Sequence, residues 1–226
     1  MCTRYSLTSA PQAVRAALAT VNDELFPARS QISPTQPVHI ARLDPRERRC
    51  LELVRWGLIP SWVKDPRDLG LIINVRAEVA LEKPTFRAGM RYRRCLVPAD
   101  GFYLWTGPKQ ARQATFVAPV SPGPIAFAGI WEHWLGADGS EMESMAILTV
   151  PAGPDTAHLH DRMPAILAPA QYADWLDVRG CAAGEAAAFL HPAPAGTLRA
   201  AAFTRPIALP AQDHLDDHER PEGRDP

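Results

Sequence analysis

Apolar residues fall in short clusters separated by proline and glycine, with few stretches at helical spacing. Runs at 38–43, 51–56, 71–75, 94–97, 102–105, 115–120, 125–131, 144–150 and 165–167 are rich in β-branched and aromatic residues and predict strands, with a last one at 198–203. Residues 9–19 predict a helix with Ser9 as its cap and Pro11 in its first turn. Residues 77–83 predict one or two helical turns stopped by Pro84, and 170–177 and 184–190 predict two more helices. The Pro- and Ser-rich segment 27–37 reads as loop. Many short strands with few helices define an α+β class: a single domain with a curled, barrel-like, mainly antiparallel sheet and a few short peripheral helices. No repeat or interdomain linker interrupts it. The domain is expected over 2–209, and the polar, acidic segment 210–226 is expected to be a disordered tail.

Composition leaves that picture intact. The chain has 226 residues, 46% hydrophobic and 22% charged, enough to bury a core without staples. No apolar run approaches the roughly 20 residues of a membrane span, and the start MCTRYSL lacks the apolar region of a secretory signal. The expected setting is the bacterial cytoplasm. Cys2, Cys50, Cys95 and Cys181 are scattered without CxxC spacing and read as reduced thiols; no metal site and no cofactor are expected. Cys50 and Cys95 lie in apolar stretches and read as core.

Charge adds one qualification. The net charge is −1, but from Gln212 onward six acidic residues face two arginines, leaving the remainder at +3. Arg46/Arg48/Arg49 and Arg91/Arg93/Arg94 are clusters of the residue type that meets phosphates bidentately, although genome-wide Arg, Ala and Pro bias accounts for them equally well.

Three constellations could carry chemistry. Removal of Met1 would leave Cys2 with a free α-amine and a thiol on one residue, the pair that condenses with an aldehyde to a five-membered thiazolidine; near neutral pH both groups are partly deprotonated. In Ile73-Asn74-Val75-Arg76-Ala77-Glu78, Asn74 could hold a sugar or carbonyl oxygen and Arg76 a phosphate, or Arg76 could simply pair with Glu78. In His158-Leu159-His160-Asp161-Arg162, an imidazole suits acid–base work, against the plainer reading of a loop histidine.

Taken in order, the strings Met1-Cys2-x-Arg4-Tyr5, Arg55-Trp56-Gly57-Leu58-Ile59-Pro60-Ser61-Trp62, Asn74-x-Arg76-Ala77-Glu78, Glu82-Lys83-Pro84-x-Phe86-Arg87, Arg94-Cys95-Leu96-Val97-Pro98-Ala99-Asp100-Gly101-Phe102-Tyr103, Ala128-Gly129-Ile130-Trp131-Glu132, Ile147-Leu148-Thr149 and His160-Asp161-Arg162-Met163-Pro164 resemble the SOS response-associated peptidase (SRAP) family from Cys2 to about Trp175. The resemblance implies a monomer that binds single-stranded or junction DNA. Cys2, freed by autocatalytic loss of Met1, would trap an abasic site as a thiazolidine crosslink. It further implies Cys2 as nucleophile, Asn74 as holder of the ring-opened sugar and His160 as the acid–base group. Arg76 and Arg162, with Arg4 and Arg87 behind them, would contact phosphates, and Trp62 would stack a base.

The chain departs from that family where a Gly-Trp/Phe-Tyr-Glu-Trp pattern becomes Gly101-Phe102-Tyr103-Leu104-Trp105, losing the acid–base glutamate. Loss of such a group costs about 10²–10⁴ in rate, and Glu132 is a candidate substitute. Cys2-Thr3-Arg4 replaces the family's Cys-Gly-Arg. Two other functions stay open: a non-catalytic single-stranded DNA-binding paralogue, and an N-terminal-nucleophile cysteine hydrolase.

Overall fold

The computed structural model describes residues 3–107 and 113–203. Cys2 and the acidic tail lie outside them. Two sheets share one apolar core. In the larger, β3 (Pro37–Leu43), β4 (Arg49–Trp56), β6 (Arg94–Ala99), β9 (Ile125–Leu135) and β10 (Glu141–Pro151) pair around a closed ring, β10-β4-β3-β6-β9 and back to β10. Such closure leaves no ring strand with an open edge. The smaller sheet runs β13 (Leu198–Ala202), β8 (Gln113–Pro119), β7 (Gly101–Thr106), β1 (Tyr5–Leu7) and β2 (Arg29–Ile32). Phe127 of β9 joins them, its ring edge-on to Tyr5 at 5.9 Å and to Phe102 at 6.0 Å. Pairing is antiparallel throughout except where β10 runs parallel to β4 and to β5 (Asn74–Arg76). The expected class, a curled and mainly antiparallel sheet in one α+β domain, is the one observed.

β10 organises the site. Along one edge it pairs first with β4 at Ser144–Met145, then with β5 at 147–149. Along the other it pairs with β9 up to Ile147, then with β11 (Arg162–Pro164) from Thr149 to Pro151. Three separate stretches of chain therefore meet at the C-terminal end of one strand.

Four local expectations are corrected. Ser9 is not the cap of α1 (Pro11–Leu18); Ala10 holds that position. Ser9 instead joins Thr8 in binding Asp100, whose carboxylate accepts from Thr8 N at 2.5 Å, Ser9 N at 2.7 Å and the Ser9 hydroxyl at 2.6 Å. Segment 27–37 contains β2, paired with β1 across an irregular register. Helix α2 (Ala77–Ala80) is shorter than expected, and Pro84 starts a helix, α3 (Pro84–Tyr92), instead of ending one. Proline at a first helical position loses only an amide that has no partner anyway. Helices α4 (Tyr172–Leu176) and α5 (Ala183–Ala187) and the short β12 (Ile166–Leu167) complete the domain. No helix among the described residues is long and apolar enough to cross a membrane.

Four members of the arginine clusters serve the fold. Arg94 is buried and donates to the carbonyls of Met90, Trp175, Asp177 and Cys181. Arg93 pairs with Glu132, Arg48 with Asp44, and Arg49 donates to the Leu18 carbonyl. These guanidiniums hold the fold together. Cys95 is wholly buried, and burial pushes its thiol far above the usual range.

Candidate active site

β5 is short because Ala77 begins a helix at once, and Val75 is its inward residue. Strand alternation puts Asn74 and Arg76 together on the other face. Asn74 stands opposite Ile147 and Arg76 opposite Thr149 on β10. Arg76 is exposed and Asn74 half-buried.

From β11, Arg162 reaches back across β10. Its Nη1 donates to Glu78 Oε1 at 2.5 Å and its Nη2 to Glu78 Oε2 at 2.9 Å, a bidentate fork; Nη2 also donates to the Thr149 carbonyl at 2.6 Å. Such planar forks are the stronger form of ion pair. The Arg162 bond holds the Glu78 carboxyl below its ordinary value against the opposing effect of burial. Glu78 is thus gripped by Arg162, 84 residues away, and the charge of Arg76 nearby also lowers its carboxyl.

His160 lies in the turn before β11. Its Nδ1 accepts the Arg162 backbone N–H at 2.9 Å and lies 2.7 Å from Asp161 Oδ1. One nitrogen cannot serve both contacts in one protonation state. Accepting from Arg162 requires a bare Nδ1, with the proton of a neutral ring on Nε2; bonding Asp161 requires a proton on Nδ1. The ring thus has a partner ready in either state, the property an acid–base group needs.

The N-terminal strand, paired with β7 in the smaller sheet, is linked to β5 through the core. Thr3, the first described residue and one peptide bond from Cys2, is nearly buried; its hydroxyl accepts from Trp105 Nε1 at 3.1 Å. Tyr103 N donates to the Arg4 carbonyl at 3.0 Å. The Tyr5 ring packs against Trp56 at 5.2 Å, and Trp56 Nε1 donates to the carbonyl of Ile73, immediately before Asn74. Two side chains, Tyr5 and Trp56, thus tie the strand that follows Cys2 to the residue before Asn74.

Asn74, Arg76, His160 and Arg162 are brought together at the end of β10; the other candidates lie on neighbouring elements. Arg4 is nearly buried and donates to Ser33 Oγ at 2.9 Å, so β2 covers it. Burial lowers its pKa. Trp62 is 66% exposed, on a loop pinned where Ile59 N donates to Ser144 Oγ and Trp134 Nε1 to the Val63 carbonyl. Ser144 lies three residues before Ile147, the partner of Asn74, roughly 10 Å along β10, and the loop's base at Leu58 is bridged to Ile72. Arg87 is on α3, where Nη2 donates to the Glu82 carbonyl, beyond α2 from the cluster. Leu104, in the family's glutamate position, has no exposed surface and belongs to the core. Glu132, the candidate substitute, is committed elsewhere: it stands opposite Ser144 on β10, and its Oε1 takes a 2.5 Å bond from Arg93. Burial raises its pKa. Glu78 and Thr149 as holders of Arg162 were not foreseen; their only sequence signals are their places in the Asn74–Glu78 and Ile147–Thr149 strings. Among the described residues no group of His, Cys, Asp or Glu has the geometry of a metal site.

A five-strand ring with a β5–β10–β11 cluster at its end, linked to the N-terminal strand through Tyr5 and Trp56, frames the candidate site. The chain belongs to the SOS response associated peptidase (SRAP) family, which matches residues 1–208. Among its relatives is the abasic site processing protein YoaM of Bacillus subtilis, 33% identical over 183 residues, covering 78% of this chain and 79% of that one. YoqW of the same species, also named an abasic site processing protein, is 36% identical over 148 residues, or 65% of each chain. The abasic site processing protein HMCES of Mus musculus is 32% identical over 70% of this chain and 55% of its own, so this chain spans about half that protein's length. A solved structure from Bordetella bronchiseptica superposes with a TM-score of 0.78 at 27% identity, covering 90% of this chain and 100% of that one. One from Bacteroides thetaiotaomicron gives 0.79 at 24% identity over 89% and 91%, and is similar in fold alone.

Proposed function

We propose that this chain processes abasic sites in single-stranded DNA, with Cys2 as the covalent centre once Met1 has been removed. One observation supports this reading above the others: Asn74, Arg76, His160 and Arg162 converge on the end of β10, in a family whose relatives carry the name abasic site processing protein.

In the proposed reaction the α-amine of Cys2 adds to the aldehyde of the ring-opened deoxyribose, giving a hemiaminal. Protonated His160 delivers a proton to the departing hydroxyl, which leaves as water, and a protonated imine remains. Neutral His160 then accepts the thiol proton, the thiolate sulfur adds to the iminium carbon to close a neutral thiazolidine, and His160 is back in its protonated form. The net change is loss of one water. Asn74 would hold a sugar hydroxyl and Arg76 the flanking phosphate; Arg162 reaches a phosphate only by exchanging Glu78 for it. Orientation of the reacting pair contributes alongside proton transfer.

The burial of Leu104 favours one other reading, a non-catalytic single-stranded DNA-binding protein that kept the fold. Incubating Met-processed protein with an abasic single-stranded oligonucleotide separates the two. A heat-stable adduct on a denaturing gel, absent from Cys2→Ala, is the expected outcome. Salt-sensitive binding with no adduct would establish the second reading instead.

A further inference from the structure

With Arg48, Arg49, Arg93 and Arg94 committed to the fold, one group of arginines stands out. Arg87 and Arg91 on α3 and Arg179 in the turn after α4 line a groove of about 530 Å³ that has no acidic residue among its walls. Tyr92, at the end of α3, borders it and is 63% exposed. The opposite face of α3 is spoken for: Met90 is buried, and Gly89 packs so closely on Ile130 that an added Cβ would lie 3.1 Å from it.

We propose that this groove is a second single-stranded nucleic-acid subsite, in which Arg87, Arg91 and Arg179 hold phosphates and Tyr92 stacks a base. It rests on the reading of the chain as a DNA-processing protein and extends it to the strand beyond the reactive nucleotide. Arg87 and Arg91 are one helical turn apart, about 6 Å along α3, a row of charge on one face. Arg179 is 81% exposed, and its 2.8 Å pair with Glu47, itself 66% exposed, is of the solvent-screened kind that yields readily to a phosphate. The groove begins at Leu81, and the four-residue helix α2, about 6 Å long, separates it from Arg76. A strand held at Arg76 is therefore within reach. Arginines beside an exposed tyrosine suit a single strand, whose unpaired bases offer faces to stack, better than an acidic peptide, which does not.

The test uses intact oligothymidylates without any lesion, of roughly 4 and 12 nucleotides, spanning the footprints of single-strand binders. The full chain is expected to gain affinity from the longer strand. Tyr92→Ala should cut that gain about fivefold or more. Arg91→Gln/Arg179→Gln should lower the slope of log affinity against log salt by about 1.4, two phosphate contacts at about 0.7 each. Thermal melting of the variants checks that they fold, and these exposed side chains should leave it unchanged. Variants that keep the wild-type gain and slope would overturn the proposal. So would a polyglutamate that displaces the oligonucleotide as well as DNA does and is indifferent to Tyr92→Ala, which would make the groove a protein-binding site. Because these strands carry no aldehyde, a failure of Cys2 to crosslink would remove the proposed chemistry and leave this result standing.

Discussion

Restoring the glutamate that this chain lacks, by Leu104→Glu, sets stability against catalysis in a measurable way. Leu104 is fully enclosed among core residues of both sheets. A carboxyl in apolar surroundings has its pKa raised by up to about 3–5 units, and each unit corresponds to about 1.36 kcal/mol. A shift of three units therefore costs about 4 kcal/mol wherever the unfolded chain would ionise and the folded one does not. The sign follows: for a raised carboxyl the penalty is absent below the unfolded value near 4.3 and grows as pH rises toward the folded value. The variant should melt close to wild type at roughly pH 4 and about 8–16 °C lower at roughly pH 8, using about 2–4 °C per kcal/mol for a chain of this size. A carboxyl poised near neutrality is also an effective proton donor, so adduct formation per folded molecule should rise by about 10² or more. Melting curves at both pH values, paired with gel-based crosslinking rates, read both effects. A folded variant with no change in rate would show that position 104 is not where the missing proton transfer takes place. A penalty independent of pH would show that its surroundings are not apolar.

Other expectations follow from single contacts. Glu78→Gln removes the charged fork on Arg162 while leaving its bond to the Thr149 carbonyl. With Arg162 nearly buried but Glu78 half exposed, solvent screening keeps the stability loss to about 1 kcal/mol, between surface and buried pairs. The Glu78 carboxyl is depressed by Arg162, so the stabilisation is present above the ordinary carboxylate range and is lost as pH falls through the depressed value. Wild type should show this acid-side loss in a pH series of melting temperatures, and the glutamine variant should lack it. Asp100→Ala frees the bonds from Thr8 and Ser9 and should cost about 2 kcal/mol, a fall in melting temperature of about 4–8 °C; an unchanged melt would mean that Asp100 does not brace the N-terminal segment. Thr3→Val removes the Trp105 bond next to the proposed nucleophile and should slow adduct formation several-fold while costing only about 1 kcal/mol of stability. An unaltered rate would show that residue 3 does not orient residue 2.

The larger sheet was legible because its strands carry dense β-branched and aromatic runs: 38–43, 51–56, 125–131 and 144–150 all fall inside observed strands. What escaped was structure made by context. Arg29–Ile32 has no apolar alternation and is a strand because β1 offers it a partner. Pro84 is compatible with both the end and the start of a helix, and only the apolar residues after it, packed on β9, decide for the start. At the site, the nearness of Asn74 and Arg76 follows from their spacing. That Arg162 would grip Glu78 depended on β5 and β11 flanking the same strand, a tertiary fact no local pattern encodes. The arginine clusters show the reverse: adjacent in sequence, they separate into buried, paired and exposed fates because neighbouring residues on a strand or past a helix end face different surroundings.

Both margins of β10 are occupied over most of its length, by β4 then β5 on one side and by β9 then β11 on the other. An amide there meets solvent only if flanking strands separate, so hydrogen–deuterium exchange at Met145–Val150 should report opening of the whole domain. The turn that bears His160 has no such flanks and should exchange through small local openings. The same strand is thus the slowest part of the molecule where it anchors the cluster, and it adjoins one of the fastest where a proton has to move.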